Sequence, residues 1–141
     1  MITQTSCTIF GVTLLSGLEN FTLTSPYVYK IALYNANANL DNTTTAYTSV
    51  NEVTGTGYTA GGKILTPIPP SSDNTINTAF VSFNNVTWNP ATFSWRGALI
   101  YNSTTGAATF VLNFGSDKTP NGTFTVTFPT ANSTNAIIRI T

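Results

Sequence analysis

The side chains of this chain able to do acid–base chemistry are few. They are five carboxylates (Glu19, Asp41, Glu52, Asp73, Asp117), five cations (Lys30, Lys63, Arg96, Lys118, Arg139) and one thiol, Cys7; there is no histidine. Histidine is the usual general base near neutral pH and the commonest metal ligand, so its absence removes most enzyme mechanisms. A glycosidase needs only two carboxyls, and Glu19 and Glu52 are a pair that folding could bring together, although no motif does so. Asp41 and Asp73, flanked by Asn and Ser, suit calcium by type, but calcium sites pack several carboxylates closely and each of these stands alone. Cys7 has neither a histidine to activate it nor a second cysteine to pair with, so a buried, inert thiol is expected. No catalytic residue, cofactor or metal is expected.

Three other features are weighed on their surroundings. Gly55, Gly57, Gly61 and Gly62 precede Lys63 as in a phosphate cradle, but such a cradle needs a following helix. Lys63-Ile64-Leu65-Thr66 reads as a strand instead, leaving a compact glycine loop anchored by Tyr58. Trp88 and Trp95, with Tyr27, Tyr29, Tyr34, Tyr47, Tyr58 and Tyr101, offer either a sugar-stacking platform or core packing, and aromatics on alternating strands favour core. Arg96 sits in mid-strand between Trp95 and Gly97, where a cation needs a partner. Glu52 is the internal choice, and a carboxylate from another subunit is the sharper alternative.

These residues must be held by β structure. Thr, Val, Ile, Phe and Tyr dominate, good helix formers are scarce, and no long window carries a helical stripe. Strands are predicted at 6–15, 21–24, 27–34, 63–66, 79–83, 91–101, 107–114, 123–128 and 136–140. In the strand at 91–101, Phe93, Trp95, Gly97, Leu99 and Tyr101 are placed on one face, with Arg96, Ala98 and Ile100 on the other. Phe93, Trp95, Leu99, Phe124, Val126 and Phe128 are the expected core. Residues 35–47 read as a loop with one helical turn at 41–46. The prolines at 67, 69 and 70 read as a break, and 102–106 and 116–122 as hairpin turns. The fold class is all-β, an antiparallel sandwich or jelly roll, in a single domain spanning 1–141.

The chain has 141 residues, only 7% of them charged, and zero formal net charge. A nucleic-acid partner would call for a basic excess, so none is expected. No secretory signal or membrane-length apolar run is evident, which points to synthesis in a cytoplasm and no membrane partner. The six Asn-x-Ser/Thr sequons, at Asn20, Asn42, Asn85, Asn102, Asn121 and Asn132, then read as accidental.

The run Tyr29-Lys30-Ile31-Ala32-Leu33-Tyr34, then Leu40-Asp41, Thr45-Ala46-Tyr47 and 51–62, resembles a family of small tailed-bacteriophage virion proteins. Trp95-Arg96-Gly97-Ala98-Leu99-Ile100-Tyr101, Phe114-Gly115-Ser116-Asp117-Lys118, 123–129 and Ala136-Ile137-Ile138-Arg139-Ile140 are similar to the same family. The resemblance covers residues 27–141. It implies a structural, non-enzymatic virion protein assembled in the host cytoplasm. A capsid decoration (cement) protein fits best, with the major capsid protein and further copies of itself, as a homotrimer, for partners. A tail, baseplate or fibre component and a glycan- or receptor-binding head module are the alternatives. Residues 1–18 lie outside the resemblance and carry no charged side chain. They are either a docking arm or a first core strand, and the interface candidates are Ile9, Phe10, Val12, Leu14 and Arg96.

Overall fold

A computed structural model describes residues 1–119 and 122–141. Along the chain run β1 (Thr5–Ser6), α1 (Thr8–Leu15), β2 (Tyr29–Tyr34), β3 (Lys63–Leu65), β4 (Pro67–Asp73) and β5 (Thr78–Phe83). There follow β6 (Val86–Ala91), β7 (Trp95–Asn102), β8 (Ala108–Lys118), β9 (Gly122–Val126) and β10 (Ile138–Ile140). All the paired strands are antiparallel, in three sheets ordered β1-β8-β7-β2-β3, β10-β5-β4 and β6-β9. The all-β antiparallel sandwich expected from composition is what the chain forms.

Within the five-stranded sheet the central strands β2 and β7 are buried on both faces, which is why they are largely apolar, whereas β3 and the far end of β8 are exposed. From β2, Tyr29, Ile31 and Leu33 enter one cluster with Phe83, Trp88 and Phe128 of the smaller sheets and the chain that follows them. Ala32 and Tyr34 enter a second cluster with Ile2, Cys7, Ala38 and Leu40. The N-terminal stretch before α1 is woven into this second layer. Thr3 N–H bonds to Leu40 O, Leu40 N–H to Met1 O and Cys7 N–H to Thr109 O, and Ile2 and Cys7 are buried.

Several expectations are corrected. The segment 6–15 is helix from Thr8 rather than strand. Gly17, at φ +75°, ends it in a left-handed cap, with Gly17 N–H bonding to Leu14 O and Leu18 N–H to Thr13 O. Residues 21–24 and 41–46 form turns, not a strand and a helix. The proline-rich break at 67–73 is a strand, β4, placed on a sheet edge where a missing N–H costs least. Its register shifts between Ile68 and Ser71, which absorbs Pro69 and Pro70.

The single strand expected at 91–101 is split between β6 and β7. A register shift between Trp95 and Gly97 then reverses the face assignment. Phe93 and Trp95 share the first cluster with Ala98 and Ile100, while Leu99 and Tyr101 fall in the second. The six expected core residues do pack into the interior, with Phe124 only half-buried. Of the two hairpin turns, 102–106 forms as expected, with Gly106 N–H bonding to Asn102 O. The turn at 116–122 includes Pro120 and Asn121, which lie outside the described residues.

At Asn20 and Asn132 the sequons have a conformational use. Asn20 Oδ1 accepts from Thr22 N–H at 2.9 Å and Thr22 Oγ1 at 2.8 Å. Asn132 Oδ1 does the same with Thr134, at 3.0 and 2.9 Å. Asp41 holds Thr43 in the same way, so an Asn or Asp two residues before Thr is a turn device in this chain.

Candidate docking surface

The helix α1, TIFGVTLL, is apolar almost all round, and such a helix normally lies buried. Here it is buried on one side only. Phe10 inserts into the core against Phe110, with ring centroids 4.8 Å apart, and Phe21, at 6.2 Å. Ile9 and Leu14 lean half-buried on the two clusters. Val12 and Leu15 face outward, 55% and 91% exposed, and Leu18 follows at 48%. Of the interface candidates on this segment, Phe10 is therefore a core residue, Ile9 and Leu14 are packed inward, and Val12 is free. Leu15 and Leu18 were missed. The helix turns Val12 and Leu15, three apart, to one side, a pairing that reading 6–15 as a strand does not bring out.

Below the helix runs an apolar groove of about 280 Å3, lined by Leu14, Phe21, Val81, Ile138 and Ile140, with Glu19 at its wall. Asn102 Nδ2 donates to Glu19 Oε1 at 3.0 Å, and the Tyr29 hydroxyl lies 3.4 Å from the same oxygen. Burial raises the Glu19 carboxyl above its usual value, and the hydrogen bonds from Asn102, Tyr29 and Thr13 oppose that only in part.

The remaining chemistry-bearing residues are dispersed. Glu52 is buried and fully engaged. It accepts from the Tyr47 hydroxyl at 2.5 Å, the Tyr58 hydroxyl at 2.6 Å and Gly61 N–H at 2.7 Å. It is not the partner of Arg96. The register shift at Trp95 turns Arg96 outward to Asp117 on β8, with Nε 2.9 Å from Oδ1 and the two side chains 35% and 63% exposed. Glu52 bonds to Tyr47 and Tyr58 while Glu19 bonds to Asn102 and Tyr29, so the two carboxyls share no hydrogen-bond partner.

Asp41 and Asp73 are each occupied by Thr and Ser donors, which hold both carboxyls below the usual aspartate value. No group of three metal-ligating side chains occurs among the described residues. The Cys7 thiol is buried and pushed up to about 11, first by desolvation and then by the Asp41 charge, so it stays protonated and unreactive.

The glycine loop is anchored by Tyr58, as expected, and Lys63 leads into β3 with its ammonium on Thr87 O at 2.6 Å. The tryptophans are core. Trp88 stacks between Tyr58 and Phe124, and Trp95 packs on Phe124 with centroids 3.9 Å apart. Their faces are taken, which leaves no sugar platform around them. Among the described residues no helix is long and apolar enough to cross a membrane.

Neither the family models, nor the curated proteins, nor the solved structures include a match to this chain.

Proposed function

We propose that this chain is a non-enzymatic structural protein of a tailed-phage virion. In this reading it is a capsid decoration protein, bound to the major capsid protein and to further copies of itself as a homotrimer. The observation that supports this reading is the outward face of α1. Val12, Leu15 and Leu18 expose large apolar surface in a segment, residues 1–18, that has no charged side chain. Isolated apolar residues on a surface need no explanation, but an uncharged helix with its apolar side unpartnered marks a contact site. The resemblance of residues 27–141 to small virion proteins supplies the particle.

The docking element differs from a detachable arm. Ile2 and Cys7 are buried in the second core layer and backbone hydrogen bonds tie Met1, Thr3 and Cys7 to neighbouring segments, so that α1 presents the contact face from a fixed position. Uncharged contacts of this kind give binding that depends little on salt.

The test is to image virions made with and without this protein. Density on the head lattice that disappears with the protein supports the decoration reading. Density confined to the tail would replace it with a tail, baseplate or fibre component.

A further inference from the structure

Among the described residues two buried side-chain polar atoms lack a hydrogen-bond partner, Glu19 Oε2 and Trp95 Nε1. A carboxyl can relieve such a cost by taking up a proton. An indole N–H only donates, so Trp95 is satisfied only by an acceptor brought to it. The residue is 3% exposed, and its ring packs with centroids 3.9 Å from Phe124 and 5.8 Å from Phe93.

Trp95 also lines a cleft of about 310 Å3. The other walls are Asn35, Ala36 and Asn37, which follow β2, Ser94, which precedes β7, and Asp117 near the end of β8. The acceptors there are largely in use. Asn35 Oδ1 accepts the Asn37 N–H at 2.9 Å, and Ser94 Oγ shares a hydrogen with Thr119 Oγ1 at 3.0 Å. Asp117 Oδ1 accepts from Arg96 Nε at 2.9 Å, which holds that carboxylate in place. What the cleft leaves over is the second Asp117 oxygen as an acceptor. Its remaining donors are the Trp95 N–H and the side-chain amides of Asn35 and Asn37.

That remainder selects a ligand. A simple anion satisfies the donors but meets the Asp117 charge. A simple cation satisfies Asp117 but leaves the indole N–H without an acceptor. A hydroxyl both gives and takes, and two on neighbouring carbons serve an acceptor and a donor at once. We propose that this cleft binds a neutral saccharide. One hydroxyl oxygen accepts the Trp95 N–H, and an adjacent hydroxyl donates to Asp117. The indole is used through its N–H rather than by stacking, because its ring is held in the core. Nε1 is closed to water, so the sugar reaches it once the exposed side chains of Asn37 and Ser94 turn aside. No residue of α1 lines the cleft, and the site does not rest on the reading of the α1 face.

The experiment records proton–nitrogen correlation spectra of the full chain, whose two tryptophans give two indole N–H signals. Trp95→Phe identifies the signal that belongs to Trp95. Methyl glycosides of glucose, galactose and mannose are titrated to high millimolar concentration, beside acetate and n-butylammonium. The expected result is a saturable shift of the Trp95 signal with at least one glycoside and with neither ion, while the Trp88 signal stays in place. Asp117 is an exposed position, so Asp117→Ala should leave the fold intact and weaken this binding by at least about tenfold. An oligosaccharide of the same sugar separates the two sources of such a ligand. Tighter binding of the oligomer marks a glycan chain, and equal binding a free sugar. No saturable shift with any glycoside overturns the site. So does saturation by acetate, or binding that Asp117→Ala leaves unchanged.

Discussion

The Tyr58 hydroxyl donates to Glu52 Oε1 at 2.6 Å and accepts the Leu33 N–H at 2.9 Å, so one oxygen joins a buried acid to the middle of β2. Burial and the Glu52 hydrogen bond push this hydroxyl far above the usual tyrosine value, which keeps it a donor at any accessible pH. Tyr47 and Gly61 complete the cluster, and Tyr101 donates to Gly61 O at 2.7 Å. The loop between β2 and β3 is thus organised around an acid, with no cation among its hydrogen-bond partners.

Tyr58→Phe keeps the ring and removes both bonds, leaving Leu33 N–H and one Glu52 lone pair buried without partners. The expected loss is about 1–3 kcal/mol, read as a lower urea midpoint with an unchanged m-value. An unchanged midpoint would show that the cluster adds nothing to stability.

Glycine is required at Gly62 for space as well as for angle. A Cβ there would lie 1.8 Å from Ile31 O, and φ is +79°. Gly106 has a similar φ of +82° with nothing within 4 Å of an added Cβ. Gly106→Ala should cost about 1–2 kcal/mol of backbone strain and still fold. Gly62→Ala must displace strand β2 and should yield little folded protein. Equal melting temperatures for the two variants would contradict the close approach of the loop to β2.

How much of this was legible in the sequence varies by element. The alternation at 27–34 and the turn at 102–106 carried strong local signals; the strand formed over Tyr29–Tyr34, and the turn formed as well. The helix α1 was hidden because Thr8, Ile9, Val12 and Thr13 are β-branched and the segment is apolar on every side, so neither propensity nor periodicity marked it. Its informative residue was Gly17, a stop signal for a helix. The strand β4 was hidden by its prolines, which read as a break until an edge position is known. Arg96 was recognisable as a cation needing a partner. Naming that partner required the register shift at Trp95, which no alternation pattern contains. On α1 the exposed face was not legible: the candidates Ile9, Phe10, Val12 and Leu14 include residues that pack inward, whereas the helix presents Val12 and Leu15.

The Arg96–Asp117 pair is solvent-exposed on both sides. Exposed pairs are worth about 0–1 kcal/mol, so Arg96→Ala and Asp117→Asn should each shift the unfolding midpoint only slightly, and less at high salt. Assembly should survive both changes. A variant at Arg96 that folds normally yet fails to associate would restore the intersubunit role.

The central claim rests on the outward face of α1, and it is tested most directly by charging that face. Val12 and Leu15 are exposed in the free chain, so Val12→Asp with Leu15→Asp should leave far-UV circular dichroism and the unfolding midpoint close to wild type. The measurement is binding of the purified double variant to phage capsids that lack this protein, beside wild type. Burying two carboxylates in an apolar contact should weaken binding by at least about tenfold. Wild-type occupancy of the capsid together with a folded variant that stays in solution is the predicted result. A folded double variant that decorates capsids as fully as wild type would contradict it.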